Sequence, residues 1–340
     1  MNSPVNIASE NAAQIAPQTN DVTKMVQPTF PVTRRVFEQQ LERINAECRN
    51  PLQGVFGPDS WMWEITRHTL VFAAGMGRRI TLQVAHPWVT SAIDQHSKVR
   101  ANAAGRARRT YHIVFQMIYG NLEQALKAAE IAHRVHAKIE GPVDNGSAVH
   151  ESGSHYRANE AHAMLWIHTT MWDTFARLYQ LFVRPMTPAE LEAYYQETRR
   201  FAWLFGIPDE VLPPSWQALQ TYFNDMVTGD ELVVSTSTRQ LAEFVLKSPH
   251  KFANIPIQWI KTMTIGLYPE KLRTAYGWES DTAAFADAIQ WGKRLQTWLP
   301  ARMRYLPAWH EAQSRLQGKR ADGLTRRLNK RMFRTAYLVS

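Results

Sequence analysis

Cysteine is nearly absent. Cys48 is the only one in 340 residues, so no intrachain disulfide, zinc ribbon or CxxCH haem attachment can form, and the interior has to hold by packing alone. That thiol sits in a polar run, Ala46-Glu47-Cys48-Arg49-Asn50-Pro51, which disfavours it as a haem thiolate and suits a reducing compartment without demanding one. Long apolar runs are missing too. The longest, Thr69 to Met76, is far shorter than a membrane span and lies between Arg67-His68 and Arg78-Arg79, so no transmembrane helix is expected. Met1-Asn2-Ser3-Pro4 opens without a basic or apolar leader, and Arg34-Arg35 is followed by Val-Phe-Glu-Gln-Gln; no secretion signal is expected, and the expected location is cytoplasmic. There is no GxGxxG, no Walker loop and no GxSxG, which removes the common nucleotide-binding and serine-hydrolase readings.

What is present is apolar residue in quantity, 45% of the chain, enough to bury a large core. Net charge is +9 but unevenly placed. Lys319, Arg320, Arg326, Arg327, Lys330, Arg331 and Arg334 face only Asp322 near the C-terminus, 7 − 1 = +6. Leu324, Leu328, Met332 and Phe333 lie between them, so residues 317–340 read as a basic amphipathic tail whose 319–334 stretch suits peripheral contact with an anionic membrane. The plainer alternative is a solvated, frayed terminus. Nucleic acid is not the expected partner.

Residues 1–30 are rich in Asn, Gln, Ser, Thr and Pro without apolar periodicity and are expected to be disordered. From Val32 to about Leu316, apolar residues recur at three- and four-residue spacing, which predicts one all-α domain over 32–316. Thr187-Pro188-Ala189-Glu190 is a capping box with proline at the first helical position. Gly57-Pro58-Asp59-Ser60, Gly120-Asn121 and Pro213-Pro214-Ser215 mark further starts. Helices are expected near 34–49, 60–75, 77–95, 101–119, 121–140, 159–182, 188–205, 214–228, 236–247 and 281–298, with Gly141 to His155 as a loop.

Histidine is abundant, 12 in all, and His86, His96, His133, His136, His162 and His168 fall in helical apolar stretches. A single helical histidine is more often structural than a ligand. A zinc protease needs HExxH; His150-Glu151-Ser152-Gly153-Ser154-His155 has the wrong spacing in a Gly/Ser-rich loop. A ferritin-like di-iron site needs two ExxH motifs, and only Glu130-Ile131-Ala132-His133 fits. Among haem ligands, neutral imidazole is the one left. Arg106 and Thr110 share a helix face, with Arg109 at i+3 from Arg106, and guanidinium and hydroxyl groups there would suit haem propionates or bound dioxygen as well as a solvated face. His136 lies on the face of Ala132, and Ala128, Ala129 and Ala137 would let a flat macrocycle approach.

Read in order, Gly57-Pro58-Asp59-Ser60 with Trp63, Leu82-Gln83-Val84-Ala85-His86-Pro87 with His96-Ser97, Arg106-Ala107-Arg108-Arg109-Thr110 and Val135-His136-Ala137-Lys138-Ile139-Glu140-Gly141 resemble successive motifs of the rubber oxygenase (latex clearing protein)/MpaB family. Leu165-Trp166-Ile167-His168-Thr169-Thr170 with Asp173, Tyr194-Tyr195, Leu212-Pro213-Pro214-Ser215-Trp216 and Leu306-Pro307 continue the likeness, from about residue 50 to about 310. The resemblance implies a single globin-like all-α domain enclosing a non-covalent haem b (iron) pocket, in which a small apolar substrate is oxidised with dioxygen; the electron donor is not implied. It makes His136 the proximal ligand, with His168 and His86 as competitors, and Arg106 and Thr110 the pocket arginine and threonine, Arg109 beside them. Latex clearing proteins have a lysine immediately before that threonine. Arg109 has no lone pair to give an iron, so the sixth position is expected open or water-filled and alkene cleavage is in doubt. Glu64 and Asp94 are the candidates for the family's acidic residue. Rival readings are a haem peroxidase or dehydratase-like enzyme, a haem sensor or carrier, and a membrane-docking helical protein.

Overall fold

A computed structural model describes residues 30–97, 102–247 and 254–340. The stretch expected to be disordered, 1–30, lies outside these but for Phe30. Sixteen helices and one two-stranded sheet are described: α1 Arg34–Glu47, α2 Trp61–Thr66, α3 Thr69–Gln83, α4 Pro87–His96, α5 Ala103–Tyr119, α6 Leu122–His136, β1 Glu140–Pro142, β2 His155–Arg157, α7 Ala161–Phe182, α8 Pro188–Trp203, α9 Trp216–Thr228, α10 Thr236–Leu246, α11 Asn254–Gly266, α12 Glu270–Tyr276, α13 Thr282–Trp298, α14 Ala301–Arg304, α15 Pro307–Leu316 and α16 Gly323–Phe333. The architecture is predominantly helical, as the periodicity requires.

Local chemistry explains the starts. The Thr187 hydroxyl accepts from the Glu190 N–H at 3.2 Å and the Glu190 carboxylate accepts from the Thr187 N–H at 2.8 Å; Asn121 and Gln124 repeat the device at α6. Each such cap contributes about 1 kcal/mol. The helix break expected between residues 75 and 77 falls elsewhere. Gly75 and Gly77 lie inside α3, where a Cβ would strike Leu178 and Thr174 of α7 and Thr264 of α11. These glycines permit close helix approach rather than a turn. The breaks come at Arg67-His68, where His68 bridges to Tyr305, and at Val84-Ala85-His86, where Pro87 occupies the first helical position of α4.

The helices α3 and α7 pack side by side, flanked by α11 on α3, with α5 and α6 forming a second closely packed pair. Trp63, Trp166, Trp172, Tyr119, Tyr179, Tyr194 and Tyr195 are fully enclosed. The loop expected over 141–155 is bounded by a short antiparallel hairpin, Gly141 opposite Tyr156. At the C-terminus, α16 packs on α15 and α5. The fully buried carboxylate of Glu311 accepts from the Leu338 and Val339 N–H groups at 2.8 and 3.1 Å and from Asn329 Nδ2 at 2.6 Å. Residues 338–339 are therefore core, while Arg326, Arg327, Lys330 and Arg331 stay exposed. No helix among the described residues is long and apolar enough to cross a membrane.

Candidate functional site

The three histidines singled out as iron ligands differ in what holds their rings. His86 stands before α4 and is fully buried; its Nδ1 accepts from the Trp88 N–H at 3.2 Å. His168, in the middle of α7, accepts the Trp172 indole N–H on Nδ1 at 3.1 Å. A nitrogen that accepts carries a lone pair, so the proton of each neutral ring is on Nε2, where a metal would have to bind. Both rings are neutral: burial pushes His86 down to about 4 and His168 down to about 3. Hydrogen bonding thus disfavours both as ligands through Nε2.

His136 is different. It is the last residue of α6, half-buried, stacked on Phe205 at 6.1 Å between ring centres. Its Nδ1 is enclosed and has no hydrogen-bond partner among the described residues. Burial first, then the positive charges of His133 and Arg106, push it down to about 4, so at neutral pH it presents a free imidazole lone pair. Of the alanines near it, Ala128 and Ala129 are fully buried, where they let α6 lie tightly on its neighbours, and Ala137 is exposed.

Arg106 is half-buried on α5, and Nη1 donates to the Ser97 hydroxyl. Burial first, then Arg109, pushes its pKa down. Arg109 and Thr110 are exposed, so of the three residues on this face only Arg106 is turned inward, electrostatically coupled to His136. Residues 98–101, next to Ser97, lie outside the described residues. The two acidic candidates are engaged: Glu64 pairs with Arg67 and accepts from the Tyr179 hydroxyl at 3.0 Å, and Asp94 accepts from Ser237.

Two further groups escaped the sequence reading. Arg78 and Arg79, taken there as polar brackets, are both buried. Arg78 Nη1 reaches Asp173 Oδ2 at 2.8 Å. Arg79 has no carboxylate partner among the described residues; its guanidinium lies 4.4 Å from the Phe175 ring centre and 5.0 Å from that of Phe72 and donates to the Phe72 carbonyl at 3.2 Å. Both pKa values are pushed down by burial, and Asp173 opposes this at Arg78. Nothing in the local sequence distinguishes the two.

The second group is a cluster. Glu231, in the loop after α9, has Oε1 at 2.7 Å from His162 Nε2, 3.0 Å from His150 Nε2 and 3.3 Å from His86 Nε2. Burial would raise this carboxyl, but hydrogen bonds from His150 and His162, with the His86 ring beside them, hold it far below the ordinary range. His150 belongs to the rejected HExxxH run, whose other histidine, His155, is more than half exposed beside Glu140. His150 and Glu231 are 81 residues apart and His162 and Glu231 69, too far for any spacing motif. A small, partly open pocket lined by Ile44, Glu47, Cys48, Val55, Arg200 and Trp203 includes none of the candidates.

Comparison with known proteins then tests the resemblance. Residues 63–301 match the family model described as "ER-bound oxygenase mpaB/B'/Rubber oxygenase, catalytic domain". Comparisons with curated proteins and with solved structures gave no match. The matched region runs from Trp63 in α2 to the start of α14 and holds every candidate discussed above. It covers well over half of the 340 residues, and on that ground the chain belongs to the mpaB/rubber oxygenase family.

Proposed function

We propose that this protein is a haem b-dependent oxygenase that oxidises a small apolar organic substrate with dioxygen, the iron being held by His136. The observation that supports this most directly is the contrast among the three histidines. All three rings are neutral and each has an enclosed nitrogen without a hydrogen-bond partner, but in His86 and His168 an accepting Nδ1 fixes the proton on Nε2, whereas no such bond fixes the proton of His136. A neutral ring whose lone pair no hydrogen bond commits is what an axial imidazole requires.

Haem would supply the redox chemistry and the site for dioxygen. The protein's part is positioning. α6 ends at His136, so its ring projects from a helix end braced by buried alanines. Arg106, fixed by Ser97, offers a guanidinium to an anionic group such as a propionate. Arg109 and Thr110, exposed in this structure, are assigned to the pocket by family likeness alone. The Phe205 ring stacked on His136 gives the site an apolar side that suits an apolar substrate.

The test is a set of single substitutions read by absorption. His136→Ala is expected to purify folded but without a Soret band, even after haem is added, whereas His168→Ala and His86→Ala keep it. Full haem content with an unchanged spectrum in His136→Ala would remove the assignment. Turnover that persists without dioxygen would instead indicate peroxidase or dehydratase-like chemistry. The exposed basic residues of α16, with Leu324 and Met332 also exposed, support a peripheral membrane contact. Replacing Arg326, Arg327, Lys330 and Arg331 with Gln should abolish salt-sensitive binding to phosphatidylserine vesicles; unaltered binding would refute that role. Deletion is the poorer experiment, because residues 338–339 are core.

A further inference from the structure

We propose that His150, His162 and Glu231 form a binding site for one divalent first-row transition metal ion, with His86 acting as a positioning donor behind the carboxylate. The site uses residues other than His136 and does not rest on the haem reading.

Geometry comes first. One ligand atom from each of the four residues lies within 4.8 Å of all the others. Ligands about 2.0–2.2 Å from a metal and about 90–110° apart are separated by about 3.0–3.5 Å. Glu231 Oε1 stands 2.7 Å from His162 Nε2 and 3.0 Å from His150 Nε2, the crowding of neighbouring ligand atoms with a modest outward adjustment left to make.

A purely hydrogen-bonded cluster accounts for these residues poorly. One carboxylate oxygen has two lone pairs and is approached by three imidazole nitrogens. The third, His86 Nε2, is fully buried at 3.3 Å but out of line, and it has no hydrogen-bond partner; His162 Nδ1 and the Tyr222 hydroxyl are also enclosed without one. Such unmet polar groups, gathered at one place, point to a missing component.

Ring chemistry decides which residues bind. His86 Nδ1 accepts from the Trp88 N–H, so Nε2 keeps its proton and faces the carboxylate with an N–H rather than a lone pair; His86 belongs behind the ligands. Two imidazoles and one carboxylate remain. That donor set suits Fe(II), Co(II) or Zn(II), while Mg²⁺ and Ca²⁺ prefer oxygen alone.

The ligands are also held from separate anchors. His162 is in the first turn of α7. His150 is tied into its loop by Ser147, which donates its N–H to the His150 carbonyl at 2.7 Å and accepts the His150 N–H on its hydroxyl at 3.0 Å. Glu231 is fixed by the Val233 N–H on the Ala85 carbonyl at 2.8 Å and by Lys271 Nζ on the Thr228 carbonyl at 2.9 Å. The His150, His162 and Glu231 side chains are 11–14% exposed, leaving access for an ion.

The experiment titrates Co²⁺ into the full chain stripped with EDTA, following the visible d–d bands, with haem content recorded separately from the Soret region. One equivalent is expected to bind, Zn²⁺ to displace it, and X-ray absorption of the Co²⁺ form to show two imidazoles. Glu231→Gln and His150→Ala, checked by circular dichroism, are expected to lose the bands; His86→Gln is expected to keep them at about 10–100-fold lower affinity. No Co²⁺ uptake by the wild-type chain, fewer than two imidazoles at the bound ion, or wild-type affinity in folded Glu231→Gln would each overturn the proposal. Uptake that is unaffected by haem loss keeps it separate from the His136 assignment.

Discussion

Buried polar groups are treated in two ways within the same bundle. Around Asp173 on α7 they are matched. Its carboxylate takes Arg78 at 2.8 Å, Arg177 Nε at 2.9 Å and Gln220 Nε2 at 3.0 Å, while Arg78 Nε donates to the Leu267 carbonyl at 3.2 Å. Glu311, with its amides, hydroxyl and amide side chain, is matched in the same manner. Around Arg79, His136, His168 and the Glu231 cluster the match is incomplete: a guanidinium with a carbonyl acceptor but no carboxylate rests on aromatic rings, one nitrogen of each imidazole lacks a partner, and three rings share one oxygen. Native proteins pair nearly all buried polar groups. The matched set reads as scaffold, and the incompletely matched set includes both proposed sites.

The largest expected effect breaks the matched side. Asp173→Ala leaves Arg78 as a buried cation without its carboxylate, and truncating one partner of a buried pair costs about 3–5 kcal/mol. Urea denaturation of the haem-free chain should show that loss as a lowered midpoint. A shift equivalent to under about 1 kcal/mol, the range of an exposed pair, would mean that the Asp173 network is not scaffold and that the contrast is false.

The two sides were not equally legible in the sequence. Helix type and the caps at Ser60, Asn121, Thr187 and Ser215 follow from chemistry spanning three or four residues. The helices α11, α12, α14, α15 and α16 are not among those the pattern predicts; α11 carries Pro256 in its first turn, where proline is tolerated. Gly75-Met76-Gly77 was misread as a break because glycine serves both turns and close packing, and only the third dimension shows which. His136 and Arg106 stand out as candidates through ordered motifs. Arg79 and Glu231 could not, because what sets each apart is its spatial neighbours: the phenylalanines over one, and rings distant in the sequence around the other.

A smaller effect sharpens the unmatched side. His168 is pushed down to about 3, by burial first and then by Arg199; in the unfolded chain its pKa is about 6.5. The unfolded state therefore binds more protons between these values. The stability His168 confers is complete above pH 6.5 and lost as the pH falls below it, by up to about 1.4 kcal/mol per pH unit. His168→Gln, whose side-chain carbonyl can still accept from Trp172, should flatten the decline in urea midpoint between pH 6.5 and 5. An unchanged slope would show that this ring is not held neutral by the fold.

The smallest effect concerns Arg79, and its smallness is the point. Arg79→Met removes a buried cation that no carboxylate compensates, and the thioether chain fills similar space between Phe72 and Phe175. Replacing a buried charge by an apolar residue of similar volume is often neutral or stabilising, provided no partner charge is stranded. Here none is stranded, unlike at Arg78. The expected change in urea midpoint is equivalent to less than about 1 kcal/mol of lost stability, or a gain. A loss approaching that of Asp173→Ala would place Arg79 in the scaffold. A neutral result together with weakened haem retention would instead mark Arg79 as a cation kept for an anionic ligand group.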